Sequence, residues 1–149
     1  MTFSPGKRRA LAAMAEALLA DEDDAGALVP PAAATVERVV ASVDDWIGST
    51  SATLPFGFSV LILVVELLLP LFVVGRLSRM SRLPLAERIA YLERLEGMNV
   101  GLIATTLVAL KLPLLMVTYE EGDELALTGF DRPTISARRS LPVLPRGGA

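Results

Sequence analysis

Two long apolar stretches, each interrupted by a single charge, dominate the hydrophobic pattern of this chain. The first covers residues 54–74 and contains Glu66, and the second covers residues 100–117 and contains Lys111. Each stretch is about as long as a helix that crosses the hydrocarbon core of a bilayer. One acid in the first and one base in the second predict that the two helices pack together or against a partner.

Three further segments have the apolar period of amphipathic helices. They cover residues 5–20, with Ser4 as the N-cap, residues 35–47, and residues 84–96. The last of these carries an apolar stripe made of Leu85, Ile89, Leu92 and Leu95, and its charged residues, Arg88 among them, are assigned to the remaining faces. An acidic linker joins the first two helices.

No run alternates long enough to predict a strand, so the fold is predicted to be all-α, with about five helices. Two of them are the long apolar helices, which are either inserted in a membrane or buried against a partner. Pro70 and Pro113 lie in their last turns and predict kinks there, because proline lacks the N–H donor and crowds the preceding turn. Residues 1–133 are predicted to form a single helical domain, and residues 134–149 an extended proline-rich arm.

Composition narrows the possible chemistry. Hydrophobic residues make up 52% of the chain and aromatic residues only 5%, so its apolar mass is aliphatic. The net charge of −3 does not favour binding to nucleic acid. The absence of cysteine and histidine excludes disulfides, the usual zinc sites and most nucleophile–base pairs. We therefore predict no catalytic, cofactor-binding or metal-binding residues in this chain.

Three arrangements of the apolar helices stay open at this point: spanning a membrane, insertion into one leaflet, and burial against another subunit. Residues 75–99 carry five arginines against three acids, whereas the residues before Leu54 carry four bases against eight acids. If the helices span, positive charge favours a cytoplasmic connection between them, with both termini outside.

The N-terminus also has two interpretations. Lys7, Arg8 and Arg9 precede an alanine- and leucine-rich run, as in a twin-arginine export signal. Glu16 interrupts that run, and acids follow it at residues 21–24, which favours an amphipathic first helix instead.

The lone charges Glu66 and Lys111 are candidates for a proton or ion relay inside a membrane. The interpretation we favour is structural, as an ion pair with each other or as bonds to a partner. Gly97 and Gly101 form a small-xxx-small pair that predicts a close helix approach.

Residues 79–96, RMSRLPLAERIAYLERLE, resemble a known group of proteins. That group is the small helical subunit of the gluconate 2-dehydrogenase subunit 3 type, or the equivalent fused N-terminal region of long-chain alcohol oxidases. It accompanies membrane-associated flavoprotein oxidoreductases of the glucose–methanol–choline (GMC) type. Met80 stands where an aromatic residue is usual, and Tyr119 with the Thr128–Gly129–Phe130 triplet resembles the closing motif of the group. The matching positions in the central motif are Arg79, Leu83, Arg88, Tyr91, Leu92, Glu93 and Arg94.

The resemblance implies a non-catalytic accessory subunit of a large FAD-dependent oxidoreductase that acts on an alcohol, sugar or sterol. The resemblance implies that the FAD is bound in that partner. It also implies that this chain binds and stabilises the partner and docks it to a membrane, which is expected to be the bacterial inner membrane. The alternative is a free-standing two-helix membrane protein that serves as an anchor, assembly factor or transporter component. The residues predicted to contact partner or membrane are Glu66, Arg79, Arg88, Tyr91, Arg94, Lys111, Tyr119, Phe130, Arg138 and Arg139.

Overall fold

Helices make up 77% of the structure and there is almost no strand among the described residues, which confirms the predicted all-α class. The computed structural model describes residues 3–51, 53–68, 70, 78–98 and 100–120. A π-helical turn, Val64–Leu68, continues the third helix, and a 3-10 turn, Met80–Arg82, precedes the fourth. The α-helices are α1 (Pro5–Leu18), α2 (Ala33–Ser49), α3 (Thr53–Leu63), α4 (Leu85–Gly97) and α5 (Gly101–Glu120).

The acidic linker between α1 and α2 contains a small hairpin that the sequence did not predict. Its strands, β1 (Asp21–Glu22) and β2 (Leu28–Val29), pair antiparallel. Asp23 Oδ1 accepts hydrogen bonds from two backbone N–H groups of the turn, and Gly26 takes the positive φ of 78° that the turn requires. Strands of two residues are too short to show an alternation of apolar and polar positions, so the sequence pattern did not predict them.

The amphipathic helices bury the stripes that their periods predict. Leu11 and Met14 of α1, Val43 and Ile47 of α2, and Leu95 of α4 are all almost fully buried. A cavity of only about 10 Å³ remains where α1, α3 and α5 meet. The side chains around it are all apolar and offer an ordered water no hydrogen-bond partner, so the core is closely packed and dry there.

Helix α5 buries one side from Thr106 onward. Its buried residues recur every three or four positions, the spacing of a single helical face. The helix continues through Pro113 and ends beyond the predicted limit near Met116. The buried residues are Thr106, Leu107, Leu110, Leu114 and Thr118.

The chain divides into two units, Met1–Val117 and Thr118–Ala149. The predicted boundary at residue 133 and the predicted arm over 134–149 lie outside the described residues. Among the described residues, the predicted close approach at the two glycines is not found. Gly97 ends α4 and Gly101 begins α5, and a methyl group placed on either would have no neighbour within 4 Å in that part of the chain.

Candidate docking surface

One side of α5 is apolar and exposed. Leu102 is 79% exposed, and Val108, Leu112 and Met116 follow it along the same side. These four residues form the α5 stripe. A helix that faced only water on this side would carry polar or charged residues there. The α5 stripe is therefore a candidate contact surface for lipid or for another protein.

Helix α3 and its π-helical turn carry a second stripe of the same kind. Phe56 is 74% exposed, and Val60, Leu63 and Leu67 follow at intervals of three or four residues. These four residues form the α3 stripe. Because the opposite side of α3 buries Phe58 and Ile62, the helix is apolar on both sides, which is typical of core helices and of helices in lipid.

Two threonine hydroxyl groups in the first half of α5 need no water. Thr105 donates to the carbonyl of Gly101 and Thr106 to that of Leu102, both at 2.8 Å. Such bonds to the preceding turn satisfy a threonine inside an apolar environment. Thr105 is exposed beside the α5 stripe, so its hydroxyl leaves the surface there compatible with hydrocarbon.

One helix in the described part of the chain is long and apolar enough to cross a membrane. It is Gly101–Tyr119, with a mean hydropathy of 1.8 and 33% of its apolar window buried. The apolar helix Thr53–Leu67 is shorter. The predicted continuation of that first helix through residues 71–74 lies outside the described residues.

Glu66 and Lys111 do not pair with each other, so that part of the sequence interpretation is wrong. Glu66 accepts hydrogen bonds from the backbone N–H of Ser81 at 3.0 Å and from its hydroxyl at 2.5 Å. The N–H of Ser81 lies in the first turn of the 3-10 segment, where no intrahelical acceptor is available. Lys111 instead forms an ion pair with Glu96 near the end of α4.

Tyr91 donates a hydrogen bond to a backbone carbonyl that lacks its helical donor because of a proline. In the i to i+5 pattern of a π-helix, the carbonyl of Val65 would accept from residue 70, but Pro70 has no N–H. The hydroxyl of Tyr91 donates to that carbonyl at 2.7 Å. Tyr91 is 1% exposed, so a buried side chain from α4 satisfies the carbonyl that the predicted irregularity near Pro70 leaves without a backbone donor.

Burial, and secondly the charge of Glu66, raise the pKa of Tyr91 far above its ordinary value of 10.0. The folded chain therefore holds the phenol proton more tightly than the unfolded chain does. The stability linked to this proton is fully present below pH 10.0 and is lost as the pH rises beyond it.

We expect Tyr91→Phe to lower the free energy of unfolding by roughly 1–3 kcal/mol at neutral pH, because the Val65 carbonyl loses its buried donor. In a Tyr119→Phe chain, the absorbance of Tyr91 tyrosinate should rise only together with the loss of helical circular dichroism. Ionisation near pH 10.0 with the helices intact would contradict this assignment.

Arg88 joins α4 to α1 from inside the core. Its Nη1 donates to the carbonyl of Ala13 at 3.0 Å and to Glu16 at 2.6 Å, and its Nη2 donates to the carbonyl of Leu83 at 2.9 Å. The sequence interpretation placed Arg88 on a charged outer face, which is wrong. Arg88 lies four residues before Leu92, so it shares the inward face, and the guanidinium fork finds acceptors there.

Asp44 is a buried polar residue that the sequence interpretation missed. Its carboxylate accepts a hydrogen bond from the backbone N–H of Phe3 at 2.9 Å and pairs with Arg8 at 3.3 Å. These contacts fix the start of the chain against α2. The available signal was position, because Asp44 falls within the inward period of Val40, Val43 and Ile47.

A groove of about 700 Å³ lies between α1 and α2 and continues past the hairpin. Two of its arginines are already paired, Arg8 with Asp44 and Arg88 with Glu16. The lining carries both positive and negative side chains, so the groove shows no clear preference for an anionic ligand. The lining consists of Arg8, Arg9, Ala12, Ala13, Glu16, Pro30, Pro31, Ala33, Val36, Glu37, Val40, Ser81 and Arg88.

The predicted contact residues lie in three different settings. Glu66, Arg88 and Tyr91 are buried and hold the chain's own core, and their contact with a partner stays a prediction. Arg79, Arg94 and Tyr119 are exposed, and Lys111 is half-buried. Outside the described residues lie Phe130, Arg138 and Arg139.

Within the described ranges, no cluster of three or more acidic, histidine or cysteine side chains could hold a metal ion. No known protein family, curated protein or solved structure matches this chain.

Proposed function

We propose that this chain is a non-catalytic accessory subunit that docks a large flavoprotein oxidoreductase to a membrane. The observation that carries the docking role is the pair of uncharged apolar stripes on α3 and α5. Large exposed apolar surfaces mark sites that bind lipid or another protein. The amphipathic helices α1, α2 and α4 direct most of their charges outward, so the stripes are a local feature and not a general property of the surface.

The interior polar groups support an accessory role. Arg88, Asp44 and Glu66 each hold one segment of the chain against another through hydrogen bonds. General acid–base catalysis needs a titratable group that reaches a substrate. These three groups are occupied within the fold, which supports a proposal in which the partner supplies the chemistry.

The class of that partner rests on the resemblance over residues 79–96. It is an FAD-dependent oxidoreductase of the GMC type that acts on an alcohol, sugar or sterol, and the FAD is bound in the partner. Arg88 and Tyr91, two of the resembling residues, are the ones that attach α4 to α1 and to the π-helical turn. These two residues of the motif therefore also have a structural role within this chain.

The test is a pull-down of the tagged full chain from its own cells in mild detergent, with flavin read by absorbance and partners by mass. We expect a yellow preparation with a large subunit in stoichiometric amount. A colourless preparation of the folded chain alone would reject the accessory role and leave the free-standing membrane protein.

A matched set of variants sharpens this test. Arg79 and Arg94 are exposed predicted contacts, and the described structure gives their side chains no part in the core. Their replacement by alanine is expected to lower the recovery of flavoprotein by about tenfold, as when an interface loses roughly 1.4 kcal/mol. Arg9→Ala, at an exposed arginine on α1, is the control and should leave recovery unchanged.

A further inference from the structure

We infer that α5 lies in the plane of the membrane, with its stripe seated among the lipid chains of one leaflet, and does not cross the bilayer. The inference rests on the docking role proposed above and specifies its geometry. The α5 stripe contacts lipid at the level where the headgroups meet the acyl chains. Three observations support this arrangement.

The first observation is what lies behind α5. Leu110 on its buried side meets Leu11 and Met14 of α1 around the small cavity in the core. Helix α1 also carries Arg8 and Glu16, whose partners belong to α2 and α4. If α5 crossed the bilayer, these charged groups would follow it toward the hydrocarbon, where ionisable groups are costly.

The second observation is the ion pair at the middle of α5. Lys111 is close to the midpoint of this 20-residue helix and pairs with Glu96. The side chains of Lys111 and Glu96 are 22% and 49% exposed, so the pair lies on the outer surface beside the stripe. A helix in the membrane plane places the pair at headgroup level, whereas a spanning helix places it in the centre of the hydrocarbon.

The third observation is the chemistry of the stripe itself. Three residues of the α5 stripe, Leu102, Val108 and Leu112, are aliphatic and Met116 is not aromatic, whereas the buried centres of protein interfaces are enriched in aromatic residues, methionine and arginine. A mainly aliphatic face of this kind suits the acyl chains of a lipid leaflet.

The natural chain has no cysteine, so single-cysteine variants can be spin-labelled without a background signal. Labels at Leu102→Cys, Val108→Cys and Met116→Cys report depth along the stripe in vesicles of phosphatidylcholine and phosphatidylglycerol. Depth is read from the relative access of oxygen and of an aqueous nickel complex. The control is Ala86→Cys, at an exposed position of α4.

An in-plane helix predicts similar shallow depths at all three stripe positions and an aqueous signal at the control. A deep Val108 label between two shallow ends would mean a spanning helix and would overturn the inference. Spin–spin broadening with no access to oxygen would mean that a second copy covers the stripe, and would also overturn it. Circular dichroism checks the fold of each variant, and Leu112→Cys replaces any that fails.

The two proposals fail separately. If the labels lie at equal shallow depths but the pull-down contains no flavoprotein, the in-plane position of α5 is supported and the oxidoreductase role is rejected. A spanning profile together with a bound flavoprotein would do the reverse.

Discussion

Replacement of Arg88 by alanine is expected to lower the free energy of unfolding by about 3 kcal/mol, the largest effect of any single polar substitution in the chain. Removing one member of a buried ion pair typically costs about 3–5 kcal/mol. We take the lower end because the side chain of Glu16 is 39% exposed and regains water when Arg88 is removed. The carbonyls of Ala13 and Leu83 lose a donor in the same step.

Arg88→Lys separates charge from geometry. Lysine keeps the charge, but its single ammonium replaces a planar fork that contacts α1 and the segment before α4 together. We therefore expect a loss between that of alanine and the natural arginine. The measurement is urea unfolding in mild detergent, followed by circular dichroism.

The matched control is Arg94→Ala, at an exposed arginine on the same helix. Exposed substitutions of this kind usually change stability by no more than about 0.5 kcal/mol. Equal losses in Arg88→Ala and Arg94→Ala would show that Arg88 does not join α4 to α1.

The apolar periods sufficed to predict α1, α2 and α4, because a helix period is a local property of the sequence. Val39, Val43 and Ile47 recur on one side of α2 whatever the rest of the chain does, and all three are buried. The ends of these three helices differ from the predicted ends by at most two residues. Ser49 and Thr50 donate to carbonyls of the last turn of α2 and carry it past the predicted end.

The partners of the charged residues were beyond the sequence. The residues that bond to Glu66 lie 15 positions away in the chain, and those that bond to Arg88 lie as far as 75 positions away. Two lone charges of opposite sign suggest a pair, but a backbone N–H at a helix start competes for a carboxylate just as well. Only the arrangement of the 3-10 turn against the π-helical turn decides between them.

The apolar stretches show a second limit of the pattern. A helix that is hydrophobic all round does not indicate which side faces the core, because every side is suited to it. In α5 the structure separates the two sides, with Leu107 and Leu110 inward and Leu102 and Val108 outward. The choice among spanning, in-plane insertion and a protein cover therefore depends on what α5 packs against, which a single sequence does not contain.

The outward side of α5 is where a small change is expected to have the largest functional effect. Val108→Asp with Leu112→Asp should reduce binding to vesicles at least about a hundredfold. Each replacement withdraws an aliphatic side chain worth about 1.5–3 kcal/mol when buried, and each adds a charge that resists leaving water. Two such losses give at least about 3 kcal/mol, and every 1.4 kcal/mol is about tenfold in affinity.

The control carries the same two charges at the same spacing on a polar helix. Ala86→Asp with Ala90→Asp places them four residues apart on the exposed side of α4. Flotation with vesicles of phosphatidylcholine alone removes electrostatic repulsion by the lipid, so both double variants have the same charge and differ only in where it lies. If the stripe contacts lipid, only the α5 variant stays in the aqueous fraction. If the two double variants float equally well, the stripe lies away from the membrane and its cover is another protein.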